Sequence, residues 1–493
     1  MLRLGALLLA VSTLAAGCIT VPSATPAGTT LPAGASLASV EAIVHTAGEV
    51  TARIAPDVSA VARFIGHDAA EPTIAITSDG TMFYAAITFE NDIAGQAFPL
   101  PRTDILRSKD GGLTWEDVTP YFPGGLVRMH PETGDPMVYV DPATDRVFDI
   151  DQRLGVTCYT VSFSDDGGES WLGSFPACDA PPADHQTIVA AAPRGLPASP
   201  LYPNFVFVCW NQIYATACVR SVDGGMTYQR TPPPFAGIVP GEQCIVGPIA
   251  SALVGHLKAS PDGVVYLPRE HCGQPVVAVT ANSGLSWEVV RVSERTAIGM
   301  DPAVAVDAEG NAYYVFQDGE TSRLFLATST DQGRTWSEAI DVSPPGITAT
   351  HLPAIVAGDA GRVAIAWLGT DDPDGYERDV DADEADALWH GYISVLTDAL
   401  APSPTITTVR VNPADDPLVR GHCGPGRCPG NYDFIDIEID AAGRPWAAFV
   451  DACTEACATG ADRENNALEG FVATLRTGPG LRLANATLPA LQG

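Results

Sequence analysis

The chain has 493 residues, of which 46% are hydrophobic and 17% are charged, proportions typical of a globular protein. Its 59 acidic and 27 basic residues give a formal net charge of −32, which argues against a nucleic-acid partner because so few cations could neutralise phosphates. The 47 glycines and 41 prolines indicate many turns and short strands, and they therefore favour an all-β fold.

The N-terminal segment has the features of an export signal. Arg3 is followed by an apolar run and then by small residues, which predicts a secretory signal peptide over residues 1–17. The LAAGC motif at residues 14–18 resembles the lipobox of bacterial lipoproteins, although that family usually has Leu three residues before the Cys. The resemblance implies a lipidated Cys18 that anchors the protein at the cell envelope or cell surface; simple secretion is the alternative. Residues 18–39 then form a flexible spacer.

Ten further cysteines follow Cys18, an even number in a chain with an export signal. This count predicts up to five disulfides rather than free thiols. No pair has the spacing of a zinc ribbon, and the connectivity stays open. The pairs close in sequence are Cys158/Cys178, Cys209/Cys218, Cys244/Cys272, Cys423/Cys428 and Cys453/Cys457.

One kind of repeat is an octamer with the pattern Ser/Thr-x-Asp-x-Gly-x-Thr/Ser-aromatic. Each copy follows a short apolar run, as the turn of a β-hairpin would. In such a turn the Asp accepts backbone N–H groups, the Gly permits a positive φ, and the aromatic side chain packs between sheets. The fourth copy has Asn282 in place of Asp, and the third has Tyr228 in place of Trp. The five octamers are SKDGGLTW (108–115), SDDGGESW (164–171), SVDGGMTY (221–228), TANSGLSW (280–287) and STDQGRTW (329–336).

A second repeat places two apolar strands around an Asp/Gly turn, usually upstream of an octamer. The seven copies are 71–87, 135–150, 185–193, 255–268, 301–316, 351–367 and 433–449. Together with the octamers they predict a β-propeller over residues 40–485 with seven four-stranded blades, or six as the alternative. The last blade lacks a strand in sequence, and we expect residues 40–54 to supply it so that the ring closes.

The octamers resemble the Asp-box, or BNR repeat, of sialidases, and the chain is similar to sialidase-like β-propellers over about residues 60–476. The resemblance implies that the Asp-boxes are structural and lie away from the active face. It also implies three arginines that hold the substrate carboxylate, with a Tyr nucleophile activated by Glu and an Asp acid/base. The first arginine would precede Ile-Pro at the start of the first blade. Here that stretch is Ala69-Ala70-Glu71-Pro72, and no predicted blade start has Arg, so the arginine triad is not found.

Histidines and carboxylates occupy the predicted strand starts, which propeller symmetry should direct toward one axis at the channel mouth. Such a set suits a divalent metal, namely Ca²⁺, Zn²⁺ or Mn²⁺. The alternative is that these side chains cap strands or bond neighbouring loops. The predicted metal ligands are His185, His256, His351, Asp135 and Asp301.

The predicted function is a secreted, lipid-anchored, sialidase-like propeller that binds a surface glycan or an extracellular protein and contacts the membrane only through its lipid. Four rim residues are candidate ligand contacts: Arg153, Trp210, Arg269 and His271. The alternative is a glycoside hydrolase of exo-sialidase-like type that uses rim carboxylates. Its catalytic candidates are Glu71, Asp92, Asp151 and Glu270.

Overall fold

The computed structural model describes residues 36–38, 42–89, 101–120, 133–153, 158–178, 183–212, 215–235, 253–271, 273–372, 387–421, 423, 428–462 and 464–491. Almost all regular structure within these residues is β-strand; a single 3-10 turn lies at Leu483–Asn485. None of the helical structure in these ranges is long and apolar enough to span a bilayer. The predicted signal peptide, Cys18 and Asp92 lie outside the described residues.

The N-terminal part of the described chain contributes β1 (Ser36–Ala38), β2 (Ala42–Thr46), β3 (Arg53–Ile54) and β4 (Ser59–Asp68). Sheet 1 then contains β5 (Ala70–Ile76), β6 (Met82–Thr88), β7 (Arg102–Ser108) and β8 (Glu116–Asp117). Sheet 2 contains β9 (Thr133–Asp141), β10 (Arg146–Arg153), β11 (Cys158–Ser164) and β12 (Leu172–Cys178). Sheet 3 contains β13 (Ala183–Ala191), β14 (Phe205–Gln212), β15 (Ala215–Ser221) and β16 (Gln229–Arg230).

Sheet 4 contains β17 (Lys258–Ala259), β18 (Val265–His271), β19 (Gln274–Thr280) and β20 (Glu288–Arg291). Sheet 5 contains β21 (Ala297–Val306), β22 (Ala312–Asp318), β23 (Leu324–Ser329) and β24 (Ile340–Asp341). Sheet 6 contains β25 (Ala349–Ala357), β26 (Val363–Thr370), β27 (Leu388–Leu396) and β28 (Thr405–Arg410), with β29 (Val419–Arg420) paired to β27. Sheet 7 contains β30 (Asp436–Ile439), β31 (Pro445–Asp451) and β32 (Glu469–Thr477).

The described strands thus form seven antiparallel sheets. The first strands of successive sheets contact one another in a closed circuit: β5, β9, β13, β17, β21, β25, β30 and again β5. Apolar side chains fill the space between neighbouring sheets, where Trp210, Trp367 and Trp389 are fully buried. This arrangement confirms the predicted all-β propeller.

The ring closes through a different segment from the one predicted. Strand β4 pairs with β32, with Phe64 opposite Phe471, and so completes sheet 7. The described part of the predicted segment, residues 42–54, does not join that sheet; β2 pairs with β28 of sheet 6, and β3 pairs with β2. The prediction was therefore wrong about the closing strand. The reason is that β4 is ten residues long and buries Phe64 against Phe471, with ring centroids 5.5 Å apart, whereas both residues of β3 are exposed.

Antiparallel alternation gives the ring two distinct ends. The first and third strands of each sheet begin at one end, which we call the mouth face. The octamers follow the third strands and therefore lie at the other end, which we call the octamer face. At the mouth face, several first strands begin with a non-glycine residue at positive φ beside a shift in register. These residues are Glu71 (51°), Asp135 (48°), His185 (55°), Asp301 (45°) and Leu352 (49°).

The octamers form closely similar turns. In the first, Asp110 Oδ1 accepts the backbone N–H groups of Leu113 and Thr114 at 3.0 and 2.9 Å. In the fourth, Asn282 Oδ1 accepts the N–H of Ser286 at 3.0 Å, and its amide donates to Ser286 Oγ at 2.8 Å. The residue after this Asp or Asn has positive φ in all five turns. It is Gly111, Gly167 and Gly224 in the first three octamers, and Ser283 and Gln332 in the last two.

Three of the predicted disulfides are present among the described residues: Cys209–Cys218, Cys423–Cys428 and Cys453–Cys457. Cys209 and Cys218 are direct cross-strand partners on β14 and β15. The backbone register of β11 and β12 also places Cys158 opposite Cys178. Cys244 and Cys272 lie outside the described residues.

Candidate functional site

His185 and Asp301 form a buried ion pair at the channel mouth. His185 Nε2 lies 2.6 Å from Asp301 Oδ2, and the backbone N–H of His185 donates to Asp135 Oδ2 at 3.0 Å. Burial of His185 lowers the pKa of its imidazole, but the carboxylates of Asp301, Asp135 and Asp433 outweigh burial and raise that pKa to about 10. His185 is therefore an imidazolium at neutral pH.

His256 lies beside His185 but bonds a different carboxylate. The two ring centroids are 6.3 Å apart, and His256 Nδ1 lies 3.8 Å from Asp436 Oδ1. Asp436 also accepts the backbone N–H of Ile74 from sheet 1 at 3.1 Å. Phe434 packs edge-on against both imidazoles, with centroid distances of 5.2 and 5.3 Å. An aromatic ring thus occupies the space next to the two histidines.

His351 does not join this group. Its Nδ1 lies 3.3 Å from Gln317 Oε1, and its ring packs 6.5 Å from that of Trp389. The residue with positive φ in sheet 6 is Leu352, which precedes Pro353 as Asp301 precedes Pro302. His351 is therefore one residue out of register with Asp301, and a shift of one residue directs a strand side chain to the other face.

The predicted metal ligands thus do not form one donor set. His185 is bonded to Asp301, His256 to Asp436 and His351 to Gln317. In the part of the chain that the structure describes, no three His, Cys, Asp or Glu side chains are close enough to hold a metal ion. A protonated His185 has no lone pair to offer on the nitrogen that faces Asp301.

The space left at this part of the mouth is small. A cavity of about 20 Å³ remains, lined by His256, Lys258, Asp301, Phe434 and Asp436 among others. A water molecule needs roughly 10–15 Å³ of such space. The cavity has room for a water molecule and is too small for a sugar ring.

A second mouth cluster contains a pair of carboxyl groups on β10. Asp149 and Asp151 lie two residues apart, so they share one face of the strand. The Thr103 hydroxyl from sheet 1 donates to Asp151 Oδ1, while no hydrogen-bond donor in the described ranges reaches either oxygen of Asp149. Burial, together with the charge of Asp151, raises the pKa of Asp149 well above its usual range. The protonated form of Asp149 is therefore favoured relative to that of an exposed aspartate.

A third cluster lies at the end of β18. Burial raises the pKa of Glu270 to about 7, although the Gly273 N–H and Arg269 oppose this shift. Arg269 Nη1 donates to Thr216 Oγ1 at 2.9 Å, and its guanidinium lies 5.1 Å from the centre of the Phe235 ring. Burial lowers the pKa of Arg269 to about 10. His271, the last residue of β18, is also buried.

The remaining predicted site residues have varied positions. Trp210 is 1% exposed and packs against Tyr159 with centroids 5.2 Å apart, so it is a core residue and the prediction that it contacts ligand was wrong. Glu71 is buried at the start of the first strand of sheet 1. Arg153 is the last residue of β10, two residues after Asp151.

Two other arginines at the mouth face, Arg102 and Arg295, are paired with carboxylates. Arg102 Nε lies 3.1 Å from Asp104 Oδ1, and Arg295 Nε lies 2.8 Å from Asp318 Oδ1. The pairing of Arg295 is two-pronged, since its Nη2 also donates to Asp318 Oδ2 at 2.9 Å. These guanidinium groups are held by protein carboxylates rather than presented together to an anion.

Sequence reasoning missed Phe434 and Asp436, which cover the histidines or lie beside them. The DFID stretch at 433–436 carries the relevant signal, since an aromatic residue between two acidic residues lies at the start of the seventh inner strand.

No protein-family model matches the sequence, and the search of curated proteins finds no match either. Among solved structures, the chain is similar to a Dyadobacter fermentans protein of unknown function, with 13% identity over 89% of this chain and 98% of that one and a TM-score of 0.43. It is also similar to the intramolecular trans-sialidase from Ruminococcus gnavus, with 12% identity over 86% and 95% and a TM-score of 0.38. A third similar structure is YCF48 from Cyanidioschyzon merolae, with 11% identity over 82% and 95% and a TM-score of 0.42.

Proposed function

We propose that this protein is an exported propeller, anchored by lipid at Cys18, that binds an extracellular glycan or protein through its mouth face. The observation that carries the proposal is the His185–Asp301 ion pair, against which Phe434 packs edge-on, so that the described groups at this part of the mouth bond one another. The cavity between them among the described residues has a volume of about 20 Å³. A sialidase-like active site needs instead an open pocket with arginines free to hold a carboxylate. The octamers agree with Asp-boxes that support such a propeller structurally.

The experiment compares turnover with binding. The full-length protein in detergent is incubated with 4-methylumbelliferyl glycosides of neutral sugars, uronic acids and sialic acid, and is applied in parallel to a glycan array and to immobilised cell-envelope proteins. We expect saturable binding without release of the fluorophore. Turnover that disappears in Asp151→Asn or Glu270→Gln would contradict the proposal.

A second candidate, a glycoside hydrolase, is favoured by two carboxyl groups with raised pKa values. Burial and the charge of Asp151 raise the pKa of Asp149 well above its usual range, and burial raises the pKa of Glu270 to about 7. A carboxyl group with a raised pKa is what a general acid requires. If the glycosides are cleaved, the pH profiles of the Asp149→Asn and Glu270→Gln variants will identify which group donates the proton.

The anchor is tested separately. When the full chain is expressed with an isotopically labelled fatty acid, the wild type should carry the label and Cys18→Ala should not. The variant should also no longer be found in the membrane fraction that detergent extracts. Label in Cys18→Ala would contradict lipidation at this residue while leaving the proposed binding function unaffected.

A further inference from the structure

A polar groove lies on the octamer face between the fourth and fifth octamers. Its volume is about 190 Å³. An engineered protein cavity of about 150 Å³ holds a benzene molecule, so this groove has room for one six-membered ring. Its polar and aromatic lining comes from Asn282, Ser286, Trp287, Glu288, Gln332 and Arg334.

The groove coincides with departures from the octamer pattern. Asn282 stands where the other four octamers have Asp, and Gln332 stands where the first three have glycine. Gln332 takes a φ of 65°, a region that glycine enters at far lower cost than any residue with a Cβ. Residues that break a local rule at a strained backbone position are expected at functional sites. Both departures line the groove.

The chemistry of the lining suits a neutral hydroxylated ring. Trp287 is half-buried, packing in part against the core between sheets 3 and 4, and also lines the groove. The amide groups of Asn282 and Gln332 also bond within the protein, Asn282 to Thr280 and Ser286 and Gln332 to Arg194 and Asp262. Each amide nitrogen keeps one further N–H, and Gln332 Oε1 keeps one lone pair, for the hydroxyl groups of a ligand. Glu288 and Arg334 carry opposite charges, and replacement of Asp by Asn282 removes a negative charge from the wall. The lining therefore has no net charge that would favour an anionic or cationic ligand.

We propose that this groove binds one neutral saccharide unit of an extracellular glycan, with the sugar ring stacked on Trp287 and its hydroxyl groups bonded by Asn282 and Gln332. The site goes beyond the proposed function because it lies on the face opposite the mouth. Neither site depends on the other, and glycan binding at the groove would persist in variants of the mouth.

The test uses the full-length protein in detergent and methyl glycosides of glucose, galactose and N-acetylglucosamine, with sialyllactose as the anionic comparison. Binding is measured by calorimetry and by saturation-transfer NMR. We expect at least one neutral glycoside to bind saturably. The affinity for sialyllactose should not exceed the affinity for that glycoside. Trp287→Ala and Gln332→Gly should each weaken binding about tenfold, as loss of a stacking or amide contact would.

Ser283→Gly is the matched control. Ser283 occupies the same left-handed position in the fourth octamer but does not line the groove. Its Oγ accepts the N–H of Arg194 at 2.7 Å, so Ser283→Gly loses one contact between sheets. Gln332→Gly loses two, because Gln332 Oε1 accepts from the Arg194 guanidinium at 3.3 Å and its Nε2 donates to Asp262 Oδ2 at 3.1 Å. Binding should be unchanged in Ser283→Gly. Equal loss in this control, unchanged binding in both groove variants, or no binding by any neutral glycoside would overturn the proposal. Since glycine is the residue of the first three octamers, Gln332→Gly should fold even if Trp287→Ala does not.

Discussion

His185 Nε2 lies 2.6 Å from Asp301 Oδ2, and this ion pair joins sheets 3 and 5, which are not neighbours in the ring. The contact is possible because the inner strand of the intervening sheet, β17, is only two residues long. Gly255, just before this strand, lies so close to sheet 5 that an added Cβ would clash with the carbonyl oxygen of Pro302. Because this inner strand is so short, the imidazole of His185 can reach past sheet 4 to Asp301 of sheet 5.

Asp301→Asn should therefore destabilise the protein. The variant leaves a buried imidazolium without its nearest anion, and we expect a loss of about 3 kcal/mol in the free energy of unfolding at pH 7. Chemical denaturation measures this difference. Asp262→Asn, which removes the exposed partner of Arg194, is the control and should cost less than about 1 kcal/mol. Equal effects of the two substitutions would contradict a strong buried pair.

The same ion pair predicts that the stability of the protein depends on pH above neutrality. The ordinary pKa of a histidine is 6.5, and the pKa of His185 in the folded protein is about 10, so the folded state binds the proton more tightly. The stabilisation is fully present below pH 6.5 and is lost as the pH rises through about 10. Melting temperatures across this range should fall less steeply in Asp301→Asn than in the wild type. Parallel profiles would show that His185 does not titrate with its partner.

Replacement of Asp149 by Asn should stabilise the protein, whereas replacement of Asp301 by Asn should destabilise it. Burial raises the pKa of this carboxyl group, so folding retains a proton that the unfolded chain releases once the pH exceeds the ordinary value of 3.8. Stability should therefore fall as the pH rises from that value toward the raised pKa. Asp149→Asn keeps the shape without needing a proton, so its stability relative to the wild type should increase as the pH rises above 3.8. A large loss of stability at pH 8 would show that the carboxyl group itself is required there.

Closure of the ring by β4 is tested at Phe64. The side chain is 2% exposed and packs against Phe471, so Phe64→Ala should cost about 3–5 kcal/mol. Val50→Ala is the control, since Val50 is 89% exposed and should change stability little. If urea denaturation finds Phe64→Ala as stable as the control, β4 does not close the ring in solution.

The cysteines should all be oxidised or otherwise blocked. Three disulfides are formed among the described residues, and β11 and β12 bring Cys158 opposite Cys178. Thiol titration of the denatured, unreduced protein should therefore find almost no free thiol. Several free thiols would contradict both the pairing and the inference of export.

The architecture could be predicted because it is built from repeats. Each octamer and each strand pair contains the residues that form its own turn within a short stretch of sequence. The closing strand was not predictable in this way. Residues 40–54 and β4 both read as strands, and only the non-local partner Phe471 distinguishes them. The mouth residues show a similar limit. His351 precedes the bulge residue Leu352, whereas His185 is itself the bulge residue, and the sequence alone does not reveal this difference of one position.

The pairing of β4 with β32 has a consequence for biogenesis. Ser59 bonds Thr477 across a sequence separation of 418 residues, so β4 reaches its partner only after almost the whole chain has been synthesised. Until then the edge of this ten-residue strand that pairs with β32 is open, a state prone to intermolecular pairing. Maturation of the protein should accordingly depend on factors that shield nascent strands, and truncations near the C-terminus should aggregate rather than yield shorter folded rings.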